Sequence, residues 1–354
     1  MLLNTSLVEA RSLTEDQYTD RFENILGPHR KVDLHCHTTV SDGKKTVSEL
    51  VADAVQKGLE FVAVTDHDIV NREATILLER AGIASCEAVE VSARDYDREH
   101  SLHLTFYAKQ ISARTDAILL GIRDGRTAKI RAQCELLSGN GFHISLADLI
   151  VFAHEHRMST DSISNGHIAT FIIQNPENLK VAAKIIGREI TGRADFIQTF
   201  LKEFSPFREI GYSKVPDYEP SVALVGELAR ENHAVVSVAH PNFTFEKYGE
   251  IAEFESRMTE YAKLGISAIE INPFANATWV ESIQRTANRV GMILTFGSDS
   301  HGEADERHQG LGGIHTLSQA NPQLVQKSMD QLISVIRQED IEYRRNAIWY
   351  GLPA

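Results

Sequence analysis

No run of the chain approaches the roughly 18 to 20 consecutive apolar residues of a membrane span, so no membrane association is expected. The start, from Met1 to Arg11, lacks a basic lead followed by a long apolar core and makes a poor signal peptide. Cysteine is scarce. Cys36, Cys86 and Cys134 are odd in number and widely spaced, which argues against a disulfide framework and for a reducing, cytoplasmic compartment. Positive charge is in deficit, with a net charge of −13. Phosphate contacts along a polymer need clustered Lys and Arg, so a broad surface for long nucleic acid is not expected. A small phosphorylated substrate stays open, because bound cations can invert the local field. There is no low-complexity segment and no short-period repeat. What is present is ordinary for a globular chain: 354 residues, 42% of them hydrophobic and 24% charged. That length fits two domains, or one barrel of about 250 residues with an insertion.

The most informative stretch is Lys31 to Gly43. A short apolar strand runs into His35 and His37, and Asp42 follows. Side chains two apart on a strand share a face, so both imidazoles are offered to one point, as a metal ion requires. Cys36 then points to the opposite face and packs in the wall.

Residues 1–30 form a polar lead-in with a short helix expected over 14–25. From 31 to 112, β-branched apolar runs alternate with helical stretches. Thr46 with Glu49 makes a capping box, and the helix it opens ends at Gly58. Long helical periodicity replaces this alternation over 113–211: 115–139, 146–156, 166–174, 180–187 and 194–204. This segment is expected to be a helical insertion. The alternation resumes over 212–354, with helices at 220–232, 249–264, 277–289 and a helical tail at 321–338. Seven candidate strands result: 31–36, 60–65, 83–91, 102–108, 234–239, 267–271 and 292–297.

Most of these strands end in a metal-ligand type of residue: His35 and His37, Asp66 and His67, Glu90, His240, then Asp299 and His301. His103 is the exception, near the start of its strand. In a parallel α/β barrel the C-terminal strand ends converge on one mouth, so the set points to a metal site. His35-Cys36-His37 with Asp42-Gly43, Thr65-Asp66-His67-Asp68, Glu90, His240-Pro241 and Gly297-Ser298-Asp299-Ser300-His301 resemble the motifs of the PHP (polymerase and histidinol phosphatase) family. More closely, the chain resembles the branch of metal-dependent phosphoesterases with a helical insertion after the fourth strand. That branch includes nucleoside 3′,5′-bisphosphate phosphatases and enzymes that trim RNA from the 5′ end.

The resemblance implies an α/β fold, a distorted (β/α)7 barrel with an inserted helical subdomain, and two or three divalent metals. His35, His37, Glu90 and Asp299 would surround one ion. Glu90 would bridge to a second, held also by His103 and His240. Asp42, His67 and His301 would hold a third; Asp42 stands where many three-metal relatives have histidine. Mixed imidazole and carboxylate ligands suit Mn²⁺, Zn²⁺ or Fe²⁺. Phosphate-ester hydrolysis needs an in-line water and neutralised phosphoryl oxygens, and paired metals supply both. The nucleophile is then a metal-bound hydroxide, and no side chain is assigned as the catalytic group.

Asp66 reads either as a carboxylate orienting an imidazole or as a turn residue, and Asp68 as a turn residue. Ser164-Asn165-Gly166-His167 opens a helix whose N-terminus could bind phosphate, with Asn165 and His167 as substrate contacts by resemblance. Arg126, Lys129 and Arg131 form a basic group on a helix; Arg131 is the favoured phosphate contact because the branch carries an arginine near there. His154 and His156 read as surface residues. Glu270 and Asn272 are weak candidates for base or sugar contacts.

The function expected is hydrolysis of a phosphate ester of a nucleotide or short oligonucleotide. The alternatives are a phosphatase or cyclic phosphodiesterase acting on a small metabolite, and a non-catalytic PHP module.

Overall fold

A computed structural model describes residues 31–216, 218–248, 251–304 and 308–337. The expected helix at 14–25 lies outside them. Seven strands and fourteen helices are described, in the order β1 (Val32–Cys36), α1 (Val47–Lys57), β2 (Phe61–Val64), α2 (Arg72–Arg80), β3 (Glu87–Asp95), β4 (His100–Ala108), α3 (Ala113–Gly139), α4 (Leu146–Glu155), α5 (Asn165–Gln174), α6 (Pro176–Ile186), α7 (Arg193–Phe196, running into a π-helical turn over Ile197–Leu201), α8 (Arg208–Gly211), α9 (Val222–Glu231), β5 (Val235–Val238), α10 (Pro241–Tyr248), α11 (Ile251–Leu264), β6 (Ala268–Glu270), α12 (Ala277–Val290), β7 (Ile293–Thr295), α13 (Thr316–Gln319) and α14 (Pro322–Arg337).

Local chemistry accounts for most boundaries. The Thr46–Glu49 capping box forms, and Gly58 closes α1 in the left-handed conformation. α6 begins earlier than its periodicity suggests, because Asn175 caps it and Pro176 suits its first turn. The same preference starts α10 at Pro241, a helix absent from the periodicity reading. β3 starts at Glu87, inside the expected 83–91 run.

The strand directions correct the expectation of an all-parallel set. β1 and β2 pair in parallel, but β3–β4 and β4–β5 are antiparallel, followed by parallel β5–β6 and β6–β7. β4 therefore runs against its neighbours, because β3 turns back through a hairpin that pairs Asp95 with His100. The strands form a two-stranded and a five-stranded sheet. Isolated bridges join their edges: Phe61 with Ala84 and His67 with Glu90 on one side, Cys36 with Ser300 on the other. At the second seam the chains run so close that a Cβ on Gly297 would lie 2.1 Å from the His35 Cβ. Only glycine allows that approach.

Three apolar cores are described, one of them a smaller cluster of Val47, Leu50, Val62, Val64 and Leu78 between β1, β2 and the helices α1 and α2. The largest fills the sheets and their covering helices, with Phe106, Tyr107, Phe254 and Phe296 fully buried. The third lies within the insertion, around Phe142, Phe196, Phe200 and Ile168. No described helix is long and apolar enough to cross a membrane.

Candidate metal centre

Glu90, buried at 1% exposure on β3, is the focus of the site. Its Oε2 lies 3.2 Å from His35 Nε2, 3.2 Å from His37 Nε2 and 3.2 Å from His67 Nδ1. Its Oε1 lies 3.0 Å from His103 Nδ1 and 3.0 Å from His240 Nε2. Asp299 Oδ1 adds a second carboxylate, 3.4 Å from His35 Nε2 and 3.3 Å from His37 Nε2. Asp42 stands at the outer edge, 3.2 Å from His301 Nε2 and 3.7 Å from His67 Nε2.

The reversed β4 explains the position of His103. At the start of an antiparallel strand it lies at the same sheet edge as the C-terminal ends of its neighbours. It pairs with Ser92 on β3, and its carbonyl accepts the Ala239 N–H beside His240.

Several of these close pairs are not hydrogen bonds. His35 Nε2, His37 Nε2, Glu90 Oε2, His103 Nδ1 and His240 Nδ1 are all buried and lack a hydrogen-bond partner. An orphaned buried nitrogen or carboxylate oxygen is costly. Except for His240 Nδ1, whose ring meets Glu90 Oε1 through Nε2 and which joins none of the clusters, such atoms here converge on common points instead of on each other. His35, His37, Glu90 and Asp299 place ligand atoms within 4.8 Å of one another, and so do His37, Asp42, His67 and His301, and His67, Glu90 and His103. That donor set fits divalent cations. His67 reaches both Asp42 and Glu90, so it spans two of the expected sites. His308, which the sequence reading left out, forms a further group with Asp299 and His301.

The electrostatics agree. Burial favours the neutral acid at Glu90, but His35, His67 and His103 outweigh it and hold the carboxyl well below its usual range. Burial opposes charge on His37, yet Asp299 and Glu90 push its pKa up to about 10. His67 goes the other way, to about 4, from burial and the neighbouring His37 and His103, which together outweigh Glu90 and Asp42. The field is one that attracts positive charge, and a cation replaces protons in such a site.

Backbone strain collects here too. His240 and Asp299 adopt positive φ of 31° and 52°, and Asp68, next to His67, has 56°. Such conformations cost free energy and persist where surrounding contacts impose them.

Behind the ligands, His35 Nδ1 donates to Glu270 Oε2 at 2.7 Å, with both side chains fully buried. Glu270 is thus a support for His35, and with Asn272 it does not line the cavity, which corrects their reading as base or sugar contacts. Asp33 pins the loop after β7 by accepting from Ser298 N, Ser298 Oγ and Gly312 N. Asp66 accepts from Thr38 N, Thr38 Oγ1, Ser41 Oγ and Asn71 Nδ2. These bonds brace the turn between His37 and Asp42, and Ser41 Oγ also lies 3.4 Å from His37 Nδ1, so Asp66 reaches that imidazole only through Ser41. Cys36 packs away from the site, as alternation predicts, with Sγ against Ala63 O.

The ligands other than His35 and His37 floor a cavity of about 1200 Å³ whose other walls come from the insertion, including Arg157 and Arg193, and from Lys44. The expected substrate contacts divide. His167 lines the cavity, but its Nδ1 accepts from Ser164 N at 3.1 Å in the α5 cap and its Nε2 donates to Ser159 O at 3.0 Å in the preceding loop, so both ring nitrogens are engaged. Asn165 is half-buried and is not among the lining residues. Arg131 is exposed on α3 and away from the cavity, which corrects its ranking. Lys129 lies over the Tyr212 ring. Arg126 turns inward, pairs with buried Asp68 and donates to Ser92 Oγ at 3.0 Å and Ser162 Oγ at 3.1 Å. Asp68 is therefore more than a turn residue: it latches the insertion to the loop that carries His67. His154 and His156 are exposed, and His156 reaches the cavity edge.

A PHP-domain family model matches residues 33–189. A phosphoribosyl 1,2-cyclic phosphate 1,2-diphosphodiesterase of Eggerthella lenta is 36% identical over 91 residues, 25% of this chain and 35% of that protein. A 3′,5′-nucleoside bisphosphate phosphatase of Chromobacterium violaceum is 32% identical over 115 residues, 31% of this chain and 39% of that protein. The matches thus span well under half of these relatives. A solved structure from Bifidobacterium adolescentis, described as a metal-dependent phosphoesterase, superposes with a TM-score of 0.63 at 24% identity over 86% of this chain and 96% of that one. At that identity it speaks for the shared fold.

Proposed function

We propose that the chain, whose residues 33–189 match a PHP-domain family model, is a metal-dependent phosphoesterase acting on a small phosphorylated substrate, a nucleotide or short oligonucleotide. The observation that carries the reading is the ring of five imidazoles around the Glu90 carboxylate, with unpartnered ligand atoms facing common points. The bridges at both sheet seams support a distorted (β/α)7 barrel as the scaffold, with 113–211 as a cap over its mouth.

In this reading His35, His37, Glu90 and Asp299 hold one ion, and Glu90, His103 and His240 a second. Asp42, His67 and His301 hold a third, with His308 within reach. Mn²⁺, Zn²⁺ or Fe²⁺ suits these donors, and when bound the ions supply charge neutralisation at the phosphoryl group and acidify water. The chain's own residues do the rest. Glu270 keeps the His35 Nδ1 proton, so Nε2 is the atom presented to the site. Asp66 fixes the turn that carries Asp42. Lys44, Arg157 and Arg193 at the mouth draw in an anionic substrate, and the insertion walls the reaction off from bulk water.

Protein loaded with Mn²⁺ is expected to hydrolyse a chromogenic phosphate ester and to lose that activity to a chelator, with recovery on adding the ion back. Folded protein that turns over no ester with Mn²⁺, Zn²⁺ or Fe²⁺ would favour a non-catalytic PHP module. Nucleoside 3′,5′-bisphosphates, cyclic phosphates and short RNA, compared by kcat/KM, separate the substrate classes.

A further inference from the structure

The cavity has an aromatic wall as well as an acidic floor and a basic rim. Phe243, in the first turn of α10 just after His240, lines the cavity with 37% of its surface exposed. Phe274, in the loop after β6, is exposed to 36% and stands just outside the cavity lining. Their ring centroids are 6.4 Å apart with planes inclined by 35°, and the Phe243 ring lies 6.4 Å from that of His240. The two rings thus form one apolar surface that begins beside a candidate ligand. In this fold the other large aromatics near the strand ends, such as Phe106 and Phe296, are fully buried.

We propose that Phe243, extended by Phe274, is a stacking platform for the base of a nucleoside phosphate, and that it sets the preference of the site for nucleoside esters over esters without a base. The inference rests on the phosphoesterase reading and deepens it. Three observations favour a base as the occupant. The platform is one ring away from His240, so whatever covers it is joined to the ester through a short linker, and a ribose has that reach. The cavity around it mixes polar and apolar surface, so the occupant needs apolar faces and polar edges, which a heterocycle has and an alkyl chain lacks. Finally, Lys44, Arg157 and Arg193 lie on the same cavity for the phosphates, leaving the phenyl rings for an uncharged part of the same molecule. A ribose phosphate without a base would leave both rings in water. Stacking on an aromatic side chain tolerates any base, because each has a π face.

The test compares adenosine 3′-phosphate with glycerol 2-phosphate on the full chain loaded with Mn²⁺. In Phe243→Leu the ratio of the two kcat/KM values is expected to fall roughly 10- to 100-fold, through KM for the nucleotide. Phe274→Leu is expected to lower it less, and Phe243→Tyr to restore it to within about threefold of the starting value. A second readout is adenosine binding to chelator-treated protein, expected to weaken by a similar factor in Phe243→Leu. An unchanged ratio in a Phe243→Leu protein with native circular dichroism overturns the platform, and so does a starting preference for glycerol 2-phosphate; both outcomes leave the phosphoesterase reading in place. If neither ester is turned over, that reading fails instead, and the adenosine comparison alone decides the platform.

Discussion

His35 and His167 are both buried imidazoles, one in the strand wall among the candidate ligands and one in the insertion, where it lines the cavity. His35 has Nδ1 held by Glu270 and Nε2 left without a partner, against Glu90 and Asp299. His167 has both nitrogens engaged, by Ser164 and Ser159. The first is braced from behind and open in front, as a ligand must be. The second completes a helix cap. What separates a reactive histidine from a structural one here is the partner of each nitrogen, since both side chains are buried. The same contrast runs through the carboxylates. Glu90 keeps an unpartnered oxygen, whereas Asp66 is saturated by four donors. Among the candidate ligands the unsatisfied atoms come from the strand wall, whereas His167 in the insertion and Asp66 in the bracing loop are satisfied.

The sharpest way to break this comparison is Asp299→Ala. Loss of a shared carboxylate is expected to lower turnover of a phosphate ester by about a thousandfold or more and to reduce bound metal per chain, read by elemental analysis. Full activity with full metal content would remove Asp299 from the ligand set. Next in size is the latch between the two regions. Arg126→Met leaves Asp68 buried beside Ser92 without its cation and is expected to cost about 3 kcal/mol in denaturant unfolding. A shift below about 0.5 kcal/mol would mean that Ser92 alone satisfies Asp68. Glu270→Ala tests the bracing of His35. Metal affinity is expected to fall about 10- to 100-fold, with Glu270→Gln recovering part of it, and equal affinities in all three proteins would make Glu270 a bystander. The smallest effect is expected at the exposed rim. Arg193→Ala should raise KM by a factor of about 2 to 5 with kcat retained, and added salt should shrink the difference. A loss in kcat would place Arg193 closer to the chemistry than its exposure suggests.

Much of the strand wall was legible in the sequence because its signals are local. β-branched runs mark the strands, the Thr46–Glu49 box marks a helix start, and i, i+2 alternation separates His35 and His37 from Cys36. The insertion was legible only as helices. Arg126, Lys129 and Arg131 look alike in sequence, yet one pairs with a buried aspartate, one lies over a tyrosine ring and one stays in solvent. Their fates depend on how α3 is rotated against the strands, which local periodicity does not encode. Glu270 was underrated for a similar reason. Its face of β6 was evident, but the partner behind it, His35, comes from a strand 235 residues away.

The opposite was true of His103, whose place at the start of a strand looked wrong for a ligand. By itself the sequence determined which side chains have metal-ligand chemistry and that most of them end strands, because a period of two and the residue types are written into each segment. Only the tertiary structure decided that β4 runs backwards, that five imidazoles therefore meet at Glu90, and which nitrogens are left open. Strand direction and hydrogen-bond partners arise between segments far apart in the chain, and no single segment carries that information.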